Sequence, residues 1–306
     1  MYFPYLRGRQ YELLALRELA KQKLQGNNIL PIIEPVKNTS TLQASLDEYK
    51  KAGLPIALIF NPMVGDLVGK QELIKPLCEL LGGVIVPAII IRNNVIETIE
   101  LLRSYGATLP KVLAILPDRD ALSIYERAFS SAPPQYTLFP DERVLRHRIK
   151  QGKVMLDDKF NKQPKNADYP EDEFYSDEHL YFKEEGYDGF GDYSIIGMDY
   201  SETGFAPHAV AIHIVYLDNE GALRIRHFIS DSNEDISDTS GKFYEAIEKL
   251  ANWYYAGQER QRTMGLSLLL QHYENKTYPG LPTLKKLSIM HHLELIGRQL
   301  GNGAQS

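Results

Sequence analysis

The residues of this 306-residue chain best suited to chemistry stand directly behind short apolar runs. Arg7 follows "YFPYL" (2 to 6), Glu34 follows "ILPII" (29 to 33), Asn61 follows "PIALIF" (55 to 60), and Arg92 with Asn94 follows "VIVPAIII" (84 to 91). Asp118 comes after "VLAIL" (112 to 116), Asp141 after "YTLF" (136 to 139), Asp157, Asp158 and Lys159 after "VML" (154 to 156), and Asp199 after "SIIGM" (194 to 198). If the runs are strands with converging ends, Glu34, Asp118, Asp158 and Asp199 are candidate catalytic carboxylates. Their oxygens suit a hard cation such as Mg²⁺ or Mn²⁺, with Glu34 and Asp158 as the expected ligands. Alternatively, a crowded pair would push one carboxyl upward, so that one acts as acid and the other as base. Arg7, Arg92 and Lys159, with Asn61 and His208, would then receive an anionic substrate, the arginines through bidentate contacts.

The same residues have plainer uses. Asp118 and Asp141 precede helical patterns and can cap them. Glu34 is a poor cap, so its alternatives are a pocket or an ion pair with Arg7 or Arg92. Successive strand residues face opposite ways, so only one of Asp157 and Asp158 can turn inward; Asp158 is the expected one, with Lys159 as its counter-charge.

The histidines form a second constellation. The turn "DNEG" sets a register that brings His213 and His227 together on the face shared with Ala211, Val215, Ile225 and Ile229. The two rings could be an acid/base pair, transition-metal ligands, or satisfied core residues. His208 lies on the loop before this hairpin and could reach the strand ends. His291 and His292 are adjacent on a helix, so at most one is expected to face inward.

What positions these groups is a regular alternation. The first five runs start 27, 26, 29 and 28 residues apart, the length of a strand, a turn, a helix and a return. "QYELLALRELAKQKL" and "NVIETIELLRSYG" supply amphipathic helices between the runs. Uniformly apolar strands alternating with such helices imply a parallel sheet, and eight units without a glycine-rich dinucleotide fingerprint fit an α/β fold of (β/α)₈ TIM-like barrel type better than its main rival, an open doubly wound sheet. The chain is expected to be one domain over 1–306, with a barrel core at 1–205. The acidic, tyrosine-rich stretch after the seventh run reads as an inserted loop with one short helix, and its "YDGFGDY" as a turn. A C-terminal β-hairpin at 208–230 and helices within 240–300 follow.

Bulk composition narrows the function classes. With 34 basic and 40 acidic residues the formal charge is −6, so direct nucleic-acid binding is not indicated by net charge. The single cysteine, Cys78, reads as a small buried residue. No apolar stretch of membrane-spanning length occurs, so no membrane association and a cytoplasmic location are expected. P-loop, HExxH, CxxC and GxSxG motifs are absent, which argues against the common NTPase, zincin, zinc-ribbon and serine hydrolase plans.

The opening "MYFPYLRGRQYELLALREL", the "PIIEPV" strand, "GFGDYSIIGMDYSETGFAPHAVAIH" and the closing "TYPGLPTLKKLSIMHHLEL" together resemble the bacterial and phage "beta protein" family, over essentially the whole chain. The resemblance implies a mobile-element or phage-defence setting beside a nuclease partner, and it assigns no catalytic residue. A weaker likeness is to barrel phosphodiesterases of the glycerophosphodiester type; Arg7 and Gly8 match their first-strand motif, but Leu6 stands where its histidine would be. Two functions are therefore expected: a metal-dependent barrel hydrolase of a phosphorylated or nucleotide-like substrate, or a non-catalytic sensor that contacts a partner protein such as a nuclease.

Overall fold

The computed structural model describes residues 1–201, 207–257 and 261–302. The chain forms two compact units, the first from Met1–Asp158 with Tyr181–Tyr193 and the second from Lys159–Leu180 with Ser194–Ser306.

The first unit contains strands β1 (Tyr5–Leu6), β2 (Ile32–Ile33), β3 (Ile56–Ile59), β4 (Ile85–Ile90), β5 (Leu113–Ile115), β6 (Tyr136–Phe139) and β7 (Lys153–Asp157). After β8 (Asp172–Ser176) of the second unit, β9 (Gly189–Asp192) completes the set. All eight pair in parallel, in the order β1-β2-β3-β4-β5-β6-β7-β9. Bridges from Tyr2 to both Ile29 and Phe190 bring the first and last strands together. Helices α1 (Gln10–Lys21), α2 (Ser40–Ala52), α3 (Gln71–Cys78), α4 (Val95–Ser104), α5 (Leu122–Ala128) and α6 (Arg143–Arg148) alternate with the strands. This is the (β/α)₈ TIM-like barrel that the spacing of the apolar runs implies.

Local sequence explains the helix limits. In α2, Thr39 accepts the N–H of Leu42 at 3.2 Å, Gly53 closes the other end in the left-handed region, and Leu42, Leu46 and Tyr49 form the buried stripe. Cys78 is buried at the end of α3, as its apolar surroundings imply. The barrel interior takes every second strand residue: Tyr5, Ile32, Ile59, Ile90, Ile115 and Leu156 belong to one buried cluster. Two residues further along each strand the chain reaches the mouth.

The eighth strand is not where the apolar pattern puts it. "SIIGM" begins with a short 3₁₀ turn, Ser194–Ile196, while the strand is "GFGD", inside the segment expected to be a turn. A Cβ on Gly189 would lie 2.6 Å from the Met1 carbonyl oxygen and the Phe3 ring, and one on Gly191 would lie 2.5 Å from the Phe3 carbonyl oxygen. The strand lacks side chains at these two positions because Phe3 fills the space, and so it lacks the β-branched signature of its neighbours.

The second unit is a three-stranded antiparallel sheet, in the order β10 (Ala211–Leu217), β11 (Leu223–Ile229), β8. Asp218 stabilises the connecting turn by accepting the N–H groups of Glu220 and Ala222, both at 2.9 Å. His213 pairs directly with His227, the register expected from "DNEG". The acidic stretch is not only a loop with a helix: besides the single turn α7 (Glu178–Tyr181) it contributes β8 to this sheet and β9 to the barrel. Helices α8 (Thr239–Ala256), α9 (Met264–Glu274) and α10 (Leu281–Asn302) complete the unit. Both His291 and His292 on α10 are buried, contrary to the expectation that one would face out, because this helix is covered on more than one side. Among the described residues no helix is long and apolar enough to cross a membrane.

Candidate functional site

The interior alternation carries five of the expected residues to the barrel mouth. Arg7, Glu34, Asn61, Arg92 and Asp158 each lie two positions beyond an interior residue of their own strand, at 5, 32, 59, 90 and 156. Gly8 (φ 63°) turns the chain immediately after Arg7; a Cβ there would meet the Glu34 carbonyl oxygen at 3.0 Å, so glycine is what lets the two strand ends lie close together.

Glu34 is fully buried, and both oxygens of its carboxylate have donors. Oε2 accepts from the Tyr5 hydroxyl at 2.7 Å and forms an ion pair with Arg7, while Oε1 accepts the backbone N–H of Met63 at 2.6 Å. The Arg7 guanidinium lies 5.1 Å from the Tyr5 ring centre and 5.6 Å from that of Tyr193. Burial and the Glu34 charge hold the Tyr5 hydroxyl well above its ordinary pKa, so it stays protonated and donates. Burial, with Asp158 and Glu34 adding to it and Arg7 opposing, pushes Tyr193 up to about 12.

Asn61 is spent on the scaffold, donating to the Ile90 carbonyl at 2.7 Å and accepting the Ile90 N–H at 2.8 Å, which ties the end of β3 to β4. Arg92 is fixed from behind: Nε donates to Asn94 Oδ1 at 3.2 Å, and Nη2 donates to the carbonyls of Asn61 at 3.1 Å and Pro62 at 2.9 Å. None of these partners carries a formal charge. Asp158 is exposed and lies near enough to Tyr193 to raise its pKa.

The remaining expected residues lie elsewhere. Asp118 caps the turn before α5, accepting the N–H groups of Asp120 at 2.9 Å and Ala121 at 3.0 Å. Asp199 is exposed in the second unit, beyond the 3₁₀ turn; the acid that ends the eighth strand is Asp192, which accepts from the Tyr2 hydroxyl at 2.6 Å. Lys159 also belongs to the second unit and forms an ion pair with Glu178. Asp141 accepts from the Tyr187 hydroxyl at 2.5 Å and pairs with Arg146 at 3.1 Å.

His208, His213 and His227 belong to the second unit. His213 Nδ1 lies 2.7 Å from His227 Nδ1, and His227 Nε2 lies 3.1 Å from Glu173 Oε1 on β8. Two tetrahedral zinc ligands at about 2.05 Å would hold their nitrogens about 3.3 Å apart, so the shorter separation is a hydrogen bond and not a shared ion. Tyr169 stacks on His227 with ring centres 4.7 Å apart, and Phe160 meets His213 edge-on at 5.1 Å. His213 and His208 line a cavity of about 790 Å³. Among the described residues no group of three or more His, Cys, Asp or Glu side chains is placed to hold a metal ion.

Residue spacing alone did not bring forward Tyr5, Tyr193 or Glu173. The two tyrosines have the interior alternation as their only signal. Glu173 sits in "DEFYS", whose acidity hides its strand character. No protein-family model matches the chain, and no curated protein or solved structure gives a significant match.

Proposed function

We propose that the barrel is a binding module for a small phosphorylated ligand, whose anionic group is received at the mouth by Arg92. The observation that carries this reading is the seating of Arg92: the guanidinium is fixed by the three hydrogen bonds it donates to neutral acceptors, and no carboxylate of a described residue stands within ion-pair distance to neutralise it. An oriented, uncompensated arginine suits a phosphate oxygen. Arg7, by contrast, is matched by Glu34 and serves to hold the mouth together.

Binding is favoured over turnover because both Glu34 oxygens are already engaged, Oε2 by Tyr5 and Arg7 and Oε1 by the Met63 N–H. A Mg²⁺ or Mn²⁺ ion on Glu34 and Asp158 would compete with the Arg7 guanidinium for the Glu34 charge, so the metal forms no part of this proposal. The resemblance to the phage-defence family supports a sensing role on behalf of a partner such as a nuclease.

Titration calorimetry with ribose 5-phosphate and nucleoside monophosphates, against their dephosphorylated forms, tests the reading. The phosphorylated compounds are expected to bind, and Arg92→Ala to weaken binding about tenfold or more. Unchanged affinity in Arg92→Ala overturns the proposal. Release of inorganic phosphate by the parent protein, lost in Asp158→Asn, would replace it with the hydrolase reading, Asp158 serving as base; Mn²⁺ titration in parallel measures whether a cation takes part.

A further inference from the structure

We propose that the second unit carries a separate acid–base centre, in which His213 takes a proton from water for attack on a small phosphate monoester held by Lys162, Lys165 and Lys285. This site is independent of the barrel mouth, and all its residues belong to the second unit.

The proton positions follow from the partners. Glu173 is a carboxylate, so the facing His227 Nε2 carries hydrogen and donates. In a neutral ring the other nitrogen, Nδ1, is then bare, and it accepts from His213 Nδ1–H. His213 in turn has a bare Nε2, on a residue that lines the cavity. The chain Glu173, His227, His213 thus ends in a proton acceptor whose positive charge, once it has taken a proton, is stabilised by a fixed carboxylate acting through His227. Asn161 donates to the other oxygen of Glu173 at 3.3 Å, and Tyr169 and Phe160 pack on the rings, so the relay is held in place. Burial, then the neighbouring His227 and Lys285, keep His213 well below its ordinary pKa; burial does the same for His227 against the opposing pull of Glu173 and Asp172.

The cavity supplies the ligand class. Its volume of about 790 Å³ is that of a small-molecule site. Among the described lining residues three lysines stand against one aspartate, Asp168, an excess of positive charge that complements a phosphate dianion. Ile195, Leu281 and Leu284 provide an apolar wall for the ester group.

The step balances. His213 Nε2 takes one proton from water as the water oxygen bonds to phosphorus; the ester P–O bond breaks, and the departing alkoxide recovers the proton from His213. The products are an alcohol and inorganic phosphate, with the ring neutral again. Glu173 and His227 are positioning residues that act through His213.

The test is phosphate release from phenyl phosphate by the full chain. Turnover is expected to fall by about a hundredfold or more in His213→Asn. Lys162→Ala with Lys165→Ala, both exposed side chains, is expected to leave thermal stability unchanged and raise KM about tenfold or more. Glu173→Gln removes the charge that favours the protonated ring, so the acid limb of the pH–rate profile moves to lower pH as the rate drops. Equal rates in His213→Asn, an unchanged KM in the lysine variant, or an unmoved acid limb overturns the proposal. Loss of activity in Arg92→Ala with His213→Asn unaffected assigns the chemistry to the barrel mouth and overturns it as well. Calorimetric binding at Arg92 is read separately, so failure of either site leaves the other standing.

Discussion

At the scale of single residues, the ion pair between Arg7 and Glu34 has the largest energetic consequence. Glu34 is fully buried, and the Arg7 side chain is only 13% exposed. Removing one partner leaves the other charge buried without compensation, so Arg7→Ala is expected to cost roughly 3–5 kcal/mol in urea denaturation. Replacing both partners by apolar residues is expected to cost markedly less than the sum of the two single changes, and a double-mutant cycle measures the difference. Asp118→Ala, by contrast, should cost about 1 kcal/mol through the lost cap and leave ligand binding at Arg92 unchanged. These residues differed in how legible they were. Glu34 and Arg7 could be singled out because each follows an apolar run and neither suits a turn. Whether such a residue faces the mouth depends on alternation counted from the interior, and strand limits must be known to one residue for that. Asp118 shows the cost of an offset of one, since it lies off the inward alternation and turns to its own backbone.

At the scale of elements, the most informative strand is β9. Its glycines are where Phe3 and the backbone of the first strand come closest, so a side chain at either position meets backbone atoms that cannot swing away. Gly191→Val is expected to destabilise by several kcal/mol, beyond the roughly 1–3 kcal/mol of ordinary overpacking, while Gly221→Ala, at φ 85° but clear of backbone atoms, is expected to cost only about 1–2 kcal/mol. Thermal unfolding of the two variants checks this. The same feature explains why the eight-unit rhythm was readable while the last strand was not. Strand signals rest on β-branched bulk, and here the bulk belongs to a partner element nearly 190 residues away, as the Phe3 to Phe190 hydrogen bond makes plain. β8 was hidden for a different reason: "DEFYS" is acidic and its exposed Phe174 leaves no apolar face to read. The hairpin was legible because its turn residues fix the register locally.

At the scale of the whole molecule, the second unit is built around neutral histidines. Burial pushes His291 down to about 4 and His292 down to about 3, and holds His213 and His227 below their ordinary value. Above pH 6.5 both folded and unfolded chains carry neutral rings at these positions, and nothing is lost. Below it the unfolded chain binds protons that the folded chain refuses, so each ring costs up to about 1.4 kcal/mol per pH unit. The loss continues until the folded pKa is reached, near 4 for His291 and near 3 for His292. Urea midpoints of the second unit are therefore expected to fall steadily from pH 6.5 to pH 4. His292→Phe is expected to flatten that slope; an unchanged slope would show that its ring is charged in the folded state.

The two compact units can also be watched one at a time. The chain has one cysteine and one tryptophan, and they fall on opposite sides of the division: Cys78 is buried in the barrel, and Trp253 packs on Tyr216 and Phe228 in the second unit. Burial, with Glu79 adding to it, pushes the Cys78 thiol up to about 11, so a thiol reagent reacts only when the barrel opens. Indole fluorescence reports only the other unit. Without any engineered label, the parent protein therefore carries its own pair of independent clocks, and comparing labelling kinetics with emission during unfolding will show whether the two units come apart together or in turn.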